Sequence, residues 1–376
     1  MPHEPRLKLG LHLPPKPPLY AMRAMLYAAR AMRLESLTVW DHFQDLFPQS
    51  LWDKEFTWLA TQSPTPHEFF DYQTLLGYLA ARSGRLRLGV SATNPTGRHP
   101  VVIAQAMMTL AHLTRRTPIL GIGPGERENI EPYGMPLHQP VSRLEEALQI
   151  IRLCFTSHGP FSFQGMHYQL NDAVLDLKAP KGRTPEIWVA AHGPRMLRIT
   201  GRHADGWVPV AIASPDDYAA RLATVHTAAR DAGRDPSSIF PALQVYTVIA
   251  PTEREARKML EAKSVRFVAL LAPAALWTQF GLTHPFGSDF GGFVDFIPNQ
   301  YDRKTLDDAL DSVPIDALSK ALVWGTPDMV AQRLRAYAHA GARQINVELA
   351  SATVSRRAAL YAVSSLRGIA KELGSS

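Results

Sequence analysis

Short apolar runs rich in β-branched residues alternate along the chain with longer stretches whose apolar positions recur at helical spacing. The runs fall at 7–13, 37–40, 86–92, 119–123, 186–191, 207–212, 242–249 and Gln344–Leu349, and each reads as a strand. Helical spacing follows at 22–34, Pro100–Leu113, 143–155, 195–202, 216–232, 253–271 and 355–373. The run Glu186-Ile-Trp-Val-Ala-Ala191 is apolar at consecutive rather than alternate positions, as a strand buried on both faces of a parallel sheet requires. Eight such strands, each but the second followed by a helix long enough for a right-handed crossover, predict an α/β protein built as a closed (β/α)8 TIM barrel. A doubly wound open sheet competes, but its dinucleotide glycine fingerprint belongs after the first strand, and here the glycine-containing stretch follows the fourth.

Three segments exceed a minimal barrel: 41–70, 159–177 and 281–320, the last carrying His284-Pro285-Phe286-Gly287. Loops this long are lids or disordered, and the aromatic content of the first (Trp52, Phe56, Trp58, Phe69, Phe70) argues for order. Barrels often run past 250 residues as one unit, so 1–376 is expected to be a single domain with insertions at the C-terminal face of the strands. The hydrophobic share of 46% excludes a disordered chain. No run of about 18 apolar residues exists, and residues 1–13 lack the segments of a signal peptide, so the expectation is a cytoplasmic protein without a membrane span. A single cysteine, Cys154, excludes an internal disulfide and a multi-thiolate zinc site. It sits on an apolar helical face and reads as core. No histidine pair at ligand spacing has a carboxylate nearby, so no metal is expected. The net charge of +6 comes from basic residues scattered over helices without a stripe, which argues against nucleic acid and leaves room for an anionic small molecule.

In a barrel, chemistry gathers where strands end. Strand two ends Trp40-Asp41-His42, strand three Ser91-Ala92-Thr93-Asn94, strand four Gly121-Ile-Gly123-Pro-Gly125-Glu126 with Asn129 beyond, and strand five Ala191-His192-Gly193-Pro194. Asp41 beside His42 offers a proton donor with a neighbour to tune it; the same pair also fits an Asp opening a turn and a His satisfied by backbone. Gly123 and Gly125 let backbone approach a planar ring or phosphate, or form an ordinary turn. Glu126 pairs with a neighbouring cation or caps the next turn in that second reading. Gly193-Pro194 opens a helix whose exposed amides suit an anion, or is simply a capped start.

Taken together, these stretches, with Arg98-His99-Pro100, Ala204-Asp205-Gly206-Trp207 and Gly325-Thr326-Pro327-Asp328, resemble the luciferase-like superfamily over nearly the whole chain, specifically its coenzyme F420-dependent branch. Ile119-Leu-Gly-Ile-Gly-Pro-Gly-Glu-Arg-Glu128, residues 186–198, and His284-Pro285 with Gly287 and Asp289 are similar to the mycobacterial phthiodiolone dimycocerosate ketoreductases. The resemblance implies hydride transfer between reduced deazaflavin and a ketone or alcohol, on a small-molecule or lipid-like carbonyl substrate, in a homodimer. An FMN-dependent monooxygenase and a non-catalytic flavin-binding relative are the alternatives. It implies His42 or Glu126 as proton donor beside Asp41, and a cis Ser91–Ala92 peptide backing the ring with Thr93 adjacent. It also implies Asn94 and Asn129 on the cofactor, and Gly123, Gly125, Ala191, His192 and Gly193 cradling its ribityl-phosphate arm. His192 departs from the small residue common there.

Overall fold

The computed structural model describes residues 6–210, 212 and 214–374. In chain order its elements are β1 (Lys8–Leu13), α1 (Leu19–Ala31), β2 (Ser36–Val39), α2 (Tyr72–Ala80), β3 (Arg87–Thr93), α3 (Pro100–Leu113), β4 (Ile119–Ile122), α4 (Pro140–Thr156), β5 (Phe161–Gln164), β6 (Gln169–Ala173), β7 (Glu186–Val189), α5 (Pro194–His203) and β8 (Gly206–Trp207). They continue with α6 (Pro215–Asp231), β9 (Phe240–Ile249), α7 (Glu253–Leu260), α8 (Lys263–Leu270), α9 (Ala274–Gln279), α10 (Arg303–Asp311), α11 (Ile315–Ala321), β10 (Val323–Gly325), α12 (Pro327–His339), β11 (Gln344–Leu349) and α13 (Arg356–Glu372). β1, β2, β3, β4, β7, β8, β9 and β11 pair in parallel in that order, and β11 on β1 closes the (β/α)8 barrel. No described helix is long and apolar enough to cross a membrane.

Alternation along each strand separates two populations. Leu9, Leu11, Leu37, Leu88, Val90, Ile187, Val189, Leu243, Val245, Ile345 and Val347 pack with the surrounding helices in one apolar cluster. The intervening positions point into the lumen, and on several strands they are polar or small: Gly10 and His12, Ser36 and Thr38, Gln244 and Tyr246, Asn346 and Glu348. Gln344 Nε2 donates to Ser36 Oγ and Asn346 Oδ1, both at 2.8 Å, and a Cβ on Gly10 would lie 2.1 Å from that Asn346 oxygen. Gly10 is thus the vacancy that admits a polar layer beneath the strand ends. The helices start where sequence chemistry says they should: Ser214 and Thr326 accept the N–H of Asp217 and Met329, each with proline in the first turn.

Several expectations change in detail. The stretch 159–177 holds the antiparallel hairpin β5–β6, whose Tyr168 and Leu170 are buried against the main core while Glu146 accepts the N–H groups of Met166, His167 and Tyr168 around its turn. The segment 253–271 is two helices rather than one; it breaks at Ala262, which is extended, and nothing in its apolar spacing marks the break. Unit two has a helix, α2, after its long loop, and β10 adds a ninth strand on the end of β9. The sixth strand, expected over 207–212, is regular only at Gly206–Trp207, with a single bridge from Val210 to Gln244; Ala211 of that span lies outside the described residues, as do residues 1–5 of the expected leader-free start and 375–376 of the chain.

The loop 41–70 and the segment 281–301 build a second apolar cluster with α8. Phe47, Phe56, Phe267 and Phe296 meet edge-to-face, with centroids 5.1 Å apart for Phe47–Phe56 and 5.7 Å for Phe267–Phe296. His284 is buried against Trp277 and Phe290 in the same cluster, its pKa held down to about 4 by burial. Trp58 Nε1 donates to Ala352 O at 2.8 Å, Lys16 pairs with Asp45 and stands over the Phe69 ring, and Arg303 pairs with Asp53. Cys154 is buried in the main core, with burial pushing its thiol up to about 11.

Candidate active site

An open cleft with about 1130 Å³ of empty space lies at the C-terminal ends of the strands. At one end β2 delivers Trp40, Asp41 and His42, and the turn after β4 delivers Glu126. His42 Nε2 lies 3.3 Å from Glu126 Oε2, and His42 Nδ1 lies 3.7 Å from Glu128 Oε1. One donor atom from each of these three residues falls within 4.8 Å of the others. Burial alone would lower the pKa of His42; the charges of Glu126, Asp45 and Asp41 overcome it and raise it above the ordinary 6.5. Burial works against ionisation of Glu126 too, but the neighbouring imidazolium wins and holds its pKa below the usual value. Glu128, with no exposed surface, is pushed well above the carboxylate range by burial and by Glu126. Trp40 and Phe69 flank the His42 ring, with centroids at 5.0 and 6.0 Å.

Asp41 is spent on its neighbours. Thr93 Oγ1 donates to its Oδ2 at 2.6 Å, and Arg98 donates to both carboxylate oxygens at 3.2 Å while holding Asp71 at 2.7 Å. Asn129 is occupied as well. Its Nδ2 donates to Glu128 Oε1 and its Oδ1 accepts the Phe43 N–H, both at 2.8 Å, so it reaches the cleft only with its flank.

The other end is a cradle. The Ser91–Ala92 bond is cis, as the resemblance implied, and Ser91, Ala92, Thr93 and Asn94 line the cleft. Asn94 Oδ1 accepts the N–H groups of Thr96 and Gly97, which turns its amide end free. A Cβ placed on Gly123 would touch only the Cβ atoms of Ala190 and Ala92, at 3.8 and 3.9 Å, so it would project into the space that a flat ring needs. Gly125 has φ +102°, and its Cβ would collide with Ile130 Cδ1 at 2.4 Å, so the turn after β4 requires glycine there. Gly193 precedes α5 and meets nothing within 4 Å. His192 Nε2 is buried with no partner, and burial followed by the charge of Arg221 lowers its pKa to about 4, leaving a neutral ring. Trp40 Nε1, on the His42 side of the cleft, is a further buried donor without a partner. Glycine-lined space for a ring, an open helix start and unspent polar atoms fit a flavin-type cofactor with a phosphate-bearing arm.

Of the residues expected from sequence, Ala191 alone does not line the cleft; strand alternation turns it away, where its carbonyl accepts Trp207 Nε1 at 3.0 Å, and Ala190 takes its place. Sequence reasoning missed His12, Gln244 and Tyr246, which line the cleft, and Glu128 and Asp45 behind it. A signal existed on β9, where Gln244 and Tyr246 share one face between apolar neighbours. Burial and the His42 charge lower His12 to about 3, while its Nδ1 lies 2.8 Å from Thr38 Oγ1. Of the apolar residues in the loop 41–70, only Leu46 lines the cleft, as Phe293 and Val294 do from the segment 281–301. The aromatics expected over a substrate are committed elsewhere: Trp52 and Phe56 to the second cluster, Phe69 behind His42, Phe70 to the main core and Trp58 to the Ala352 carbonyl.

Residues 55–344 match the family model of the luciferase-like monooxygenases. The chain is 41% identical, over 332 residues that cover 88% of it and 87% of the relative, to phthiodiolone/phenolphthiodiolone dimycocerosates ketoreductase of Mycobacterium tuberculosis. An F420-dependent secondary alcohol dehydrogenase, solved with an F420–acetone adduct, has a TM-score of 0.77 at 16% identity, covering 98% of this chain and 99% of that one. The coenzyme F420-dependent tetrahydromethanopterin reductase of Methanopyrus kandleri reaches 0.76 at 19% identity, with 98% of each chain covered. A Baeyer–Villiger monooxygenase component from Pseudomonas putida, in complex with FMN, reaches 0.66 at 17%, again over 98% of each chain. These structures share the barrel.

Proposed function

The chain belongs to the luciferase-like monooxygenase family, and we propose that it is a coenzyme F420-dependent oxidoreductase acting on a ketone/alcohol couple, with a hydrophobic, lipid-like carbonyl compound as substrate. The observation that carries this reading is the pair His42–Glu126 at 3.3 Å, an imidazole with a raised pKa beside a carboxylate with a lowered one, next to a cradle with room for a ring. The 41% identity to a ketoreductase supports the substrate class, and the apolar wall of Leu46, Phe293 and Val294 supports a hydrophobic one.

When bound, the deazaflavin supplies or accepts the hydride. Gly123, Gly125, Ser91, Ala92, Asn94, His192 and Gly193 are the residues that would hold it. The protein's own part is positioning and a proton. His42 is the proton donor to the carbonyl oxygen in the reductive direction, because Glu126 is ionised and has no proton to give. In the oxidative direction neutral His42 accepts the proton of the alcohol. Asp41, locked by Thr93 and Arg98, positions His42 through the peptide bond that joins them and adds to the negative field that charges it. The same reading takes the barrel with its three insertions as one domain and the active species as a homodimer.

A fluorescence titration of the purified protein with oxidised F420, beside FMN, tests this, followed by ketone reduction in an oxygen electrode. Saturable binding of F420 alone and carbonyl-dependent oxidation of reduced F420 without oxygen uptake are expected. Preference for FMN with oxygen consumption would replace the reading by a monooxygenase; binding without any hydride transfer would make the protein a non-catalytic relative.

A further inference from the structure

Glu128 reaches the cluster at His42 from beneath and does not line the cleft. Its Oε2 is buried with no hydrogen-bond donor, and the buried Oε2 of Glu126 has His42 Nε2 at 3.3 Å without hydrogen-bond alignment, while one oxygen of each carboxylate falls in a group of atoms within 4.8 Å. Two ionised carboxylates so placed would repel in a dry site and leave acceptors unsatisfied. A single proton between them removes both costs. The hydrogen bonds locate that proton. Asn129 is fixed in orientation because its Oδ1 accepts the Phe43 N–H; its Nδ2 therefore donates to Glu128 Oε1, and that oxygen must be an acceptor. The proton is therefore assigned to Oε2, the buried oxygen that Asn129 leaves without a partner. The segment is pinned further by Gln44 Nε2, which donates to the Glu128 carbonyl at 2.5 Å.

We infer that Glu128 is a protonated positioning residue: it donates a hydrogen bond to Glu126, keeps Glu126 ionised, and thereby keeps His42 charged as the acid of the reaction. The role in turnover rests on the F420 reading above; the charge relation among the three side chains does not. The groups facing this cluster are His12 from β1, Asp41 and Asp45 from the loop after β2, Tyr246 from β9, and Tyr133, whose own pKa is raised by burial and then by Glu128. His12 is neutral, and Asp41 and Asp45 raise His42 without contacting Glu128. None of them takes over the donation to Glu126. A plain apolar residue at 128 would leave Glu126 buried with no donor on that side; it would then take the proton itself and His42 would become neutral.

The test is a histidine NMR titration of the unliganded protein in three forms, wild type, Glu128→Gln and Glu128→Leu, with infrared difference spectra of wild type against Glu128→Gln at neutral pH. His42 should titrate above 6.5 in the wild type, and Glu128→Leu should move it down by about one pH unit, the scale of one hydrogen bond to a carboxylate. Glu128→Gln, whose amide donates to Glu126 and accepts from Asn129, should restore the wild-type titration. In the infrared, Glu128→Gln should remove a deuterium-sensitive protonated-carboxyl band. With reduced cofactor and a ketone, the alkaline limb of the rate should follow His42, about one pH unit lower for Glu128→Leu and recovered in Glu128→Gln. An unshifted His42 in Glu128→Leu overturns the inference, and so does the absence of the carboxyl band, which is read on Glu128→Gln even if Glu128→Leu does not fold. Neither readout needs the cofactor, so failure of the F420 reading would leave them intact.

Discussion

The two ends of the cleft use one residue type in opposite ways. His42 stands among Glu126, Asp45 and Asp41 and is driven above its ordinary pKa, while His192 is buried near Arg221 and held at about 4. One end stores a proton; the other presents a neutral ring beside glycines and an open helix start. Neither local sequence, Asp-His-Phe nor Ala-His-Gly, carries that difference. It comes from what the barrel brings alongside: the turn after β4 against β2, and α6 with Arg221 against the end of β7. A hydride-transfer site needs both, since an acid must be charged to donate while a cofactor arm is better served by donors that do not titrate.

Removing the acid should be the most costly break. His42→Ala is expected to lower turnover by about 10²–10⁴-fold while the F420 titration stays unchanged, and to remove the decline in ketone-reduction rate expected of wild type as pH rises through the elevated His42 pKa. The sign follows from the chemistry, because reduction needs the charged form, which is lost at higher pH. Unaltered turnover would remove His42 from the mechanism. Filling the cradle comes next: Gly123→Leu should weaken cofactor binding by about 10- to 100-fold, the scale of an overpacked site, without unfolding the protein, because its Cβ meets only Ala92 and Ala190 at ordinary contact distances. Binding that survives would move the ring elsewhere in the cleft. The mildest change is His192→Gln, expected to cost about threefold to tenfold in affinity, one neutral hydrogen bond. The affinity of each protein should stay constant from about pH 6 to 8, since a group held near 4 is already neutral there. A wild-type affinity that falls steeply over that range would mean that His192 binds as a cation.

Much of this molecule was legible along the chain. The eight barrel strands were visible because parallel strands packed beneath helices are apolar runs, and caps such as Ser214-Pro215 and Thr326-Pro327 mark helix starts by local chemistry. The strand ends that line the cleft were visible because a barrel gathers polar residues and glycines there. What stayed hidden depended on partners distant in sequence. The break at Ala262 has no local mark, and the hairpin β5–β6 owes its place to the core beneath it and to Glu146 from α4. Asp41 looked like an acid and is a clamped carboxylate, because Arg98, 57 residues later, takes both its oxygens. Glu128 drew no reading from its sequence and is the most buried carboxylate at the site, because the turn after β4 folds it under His42. Sequence by itself determined the barrel, its caps and the identity of most residues around the cleft, since burial period and turn chemistry act over a few residues. Only the tertiary structure decided which carboxylate is ionised, which is protonated and which histidine is charged, because protonation is set by burial and by charges that the chain brings together from separate strands.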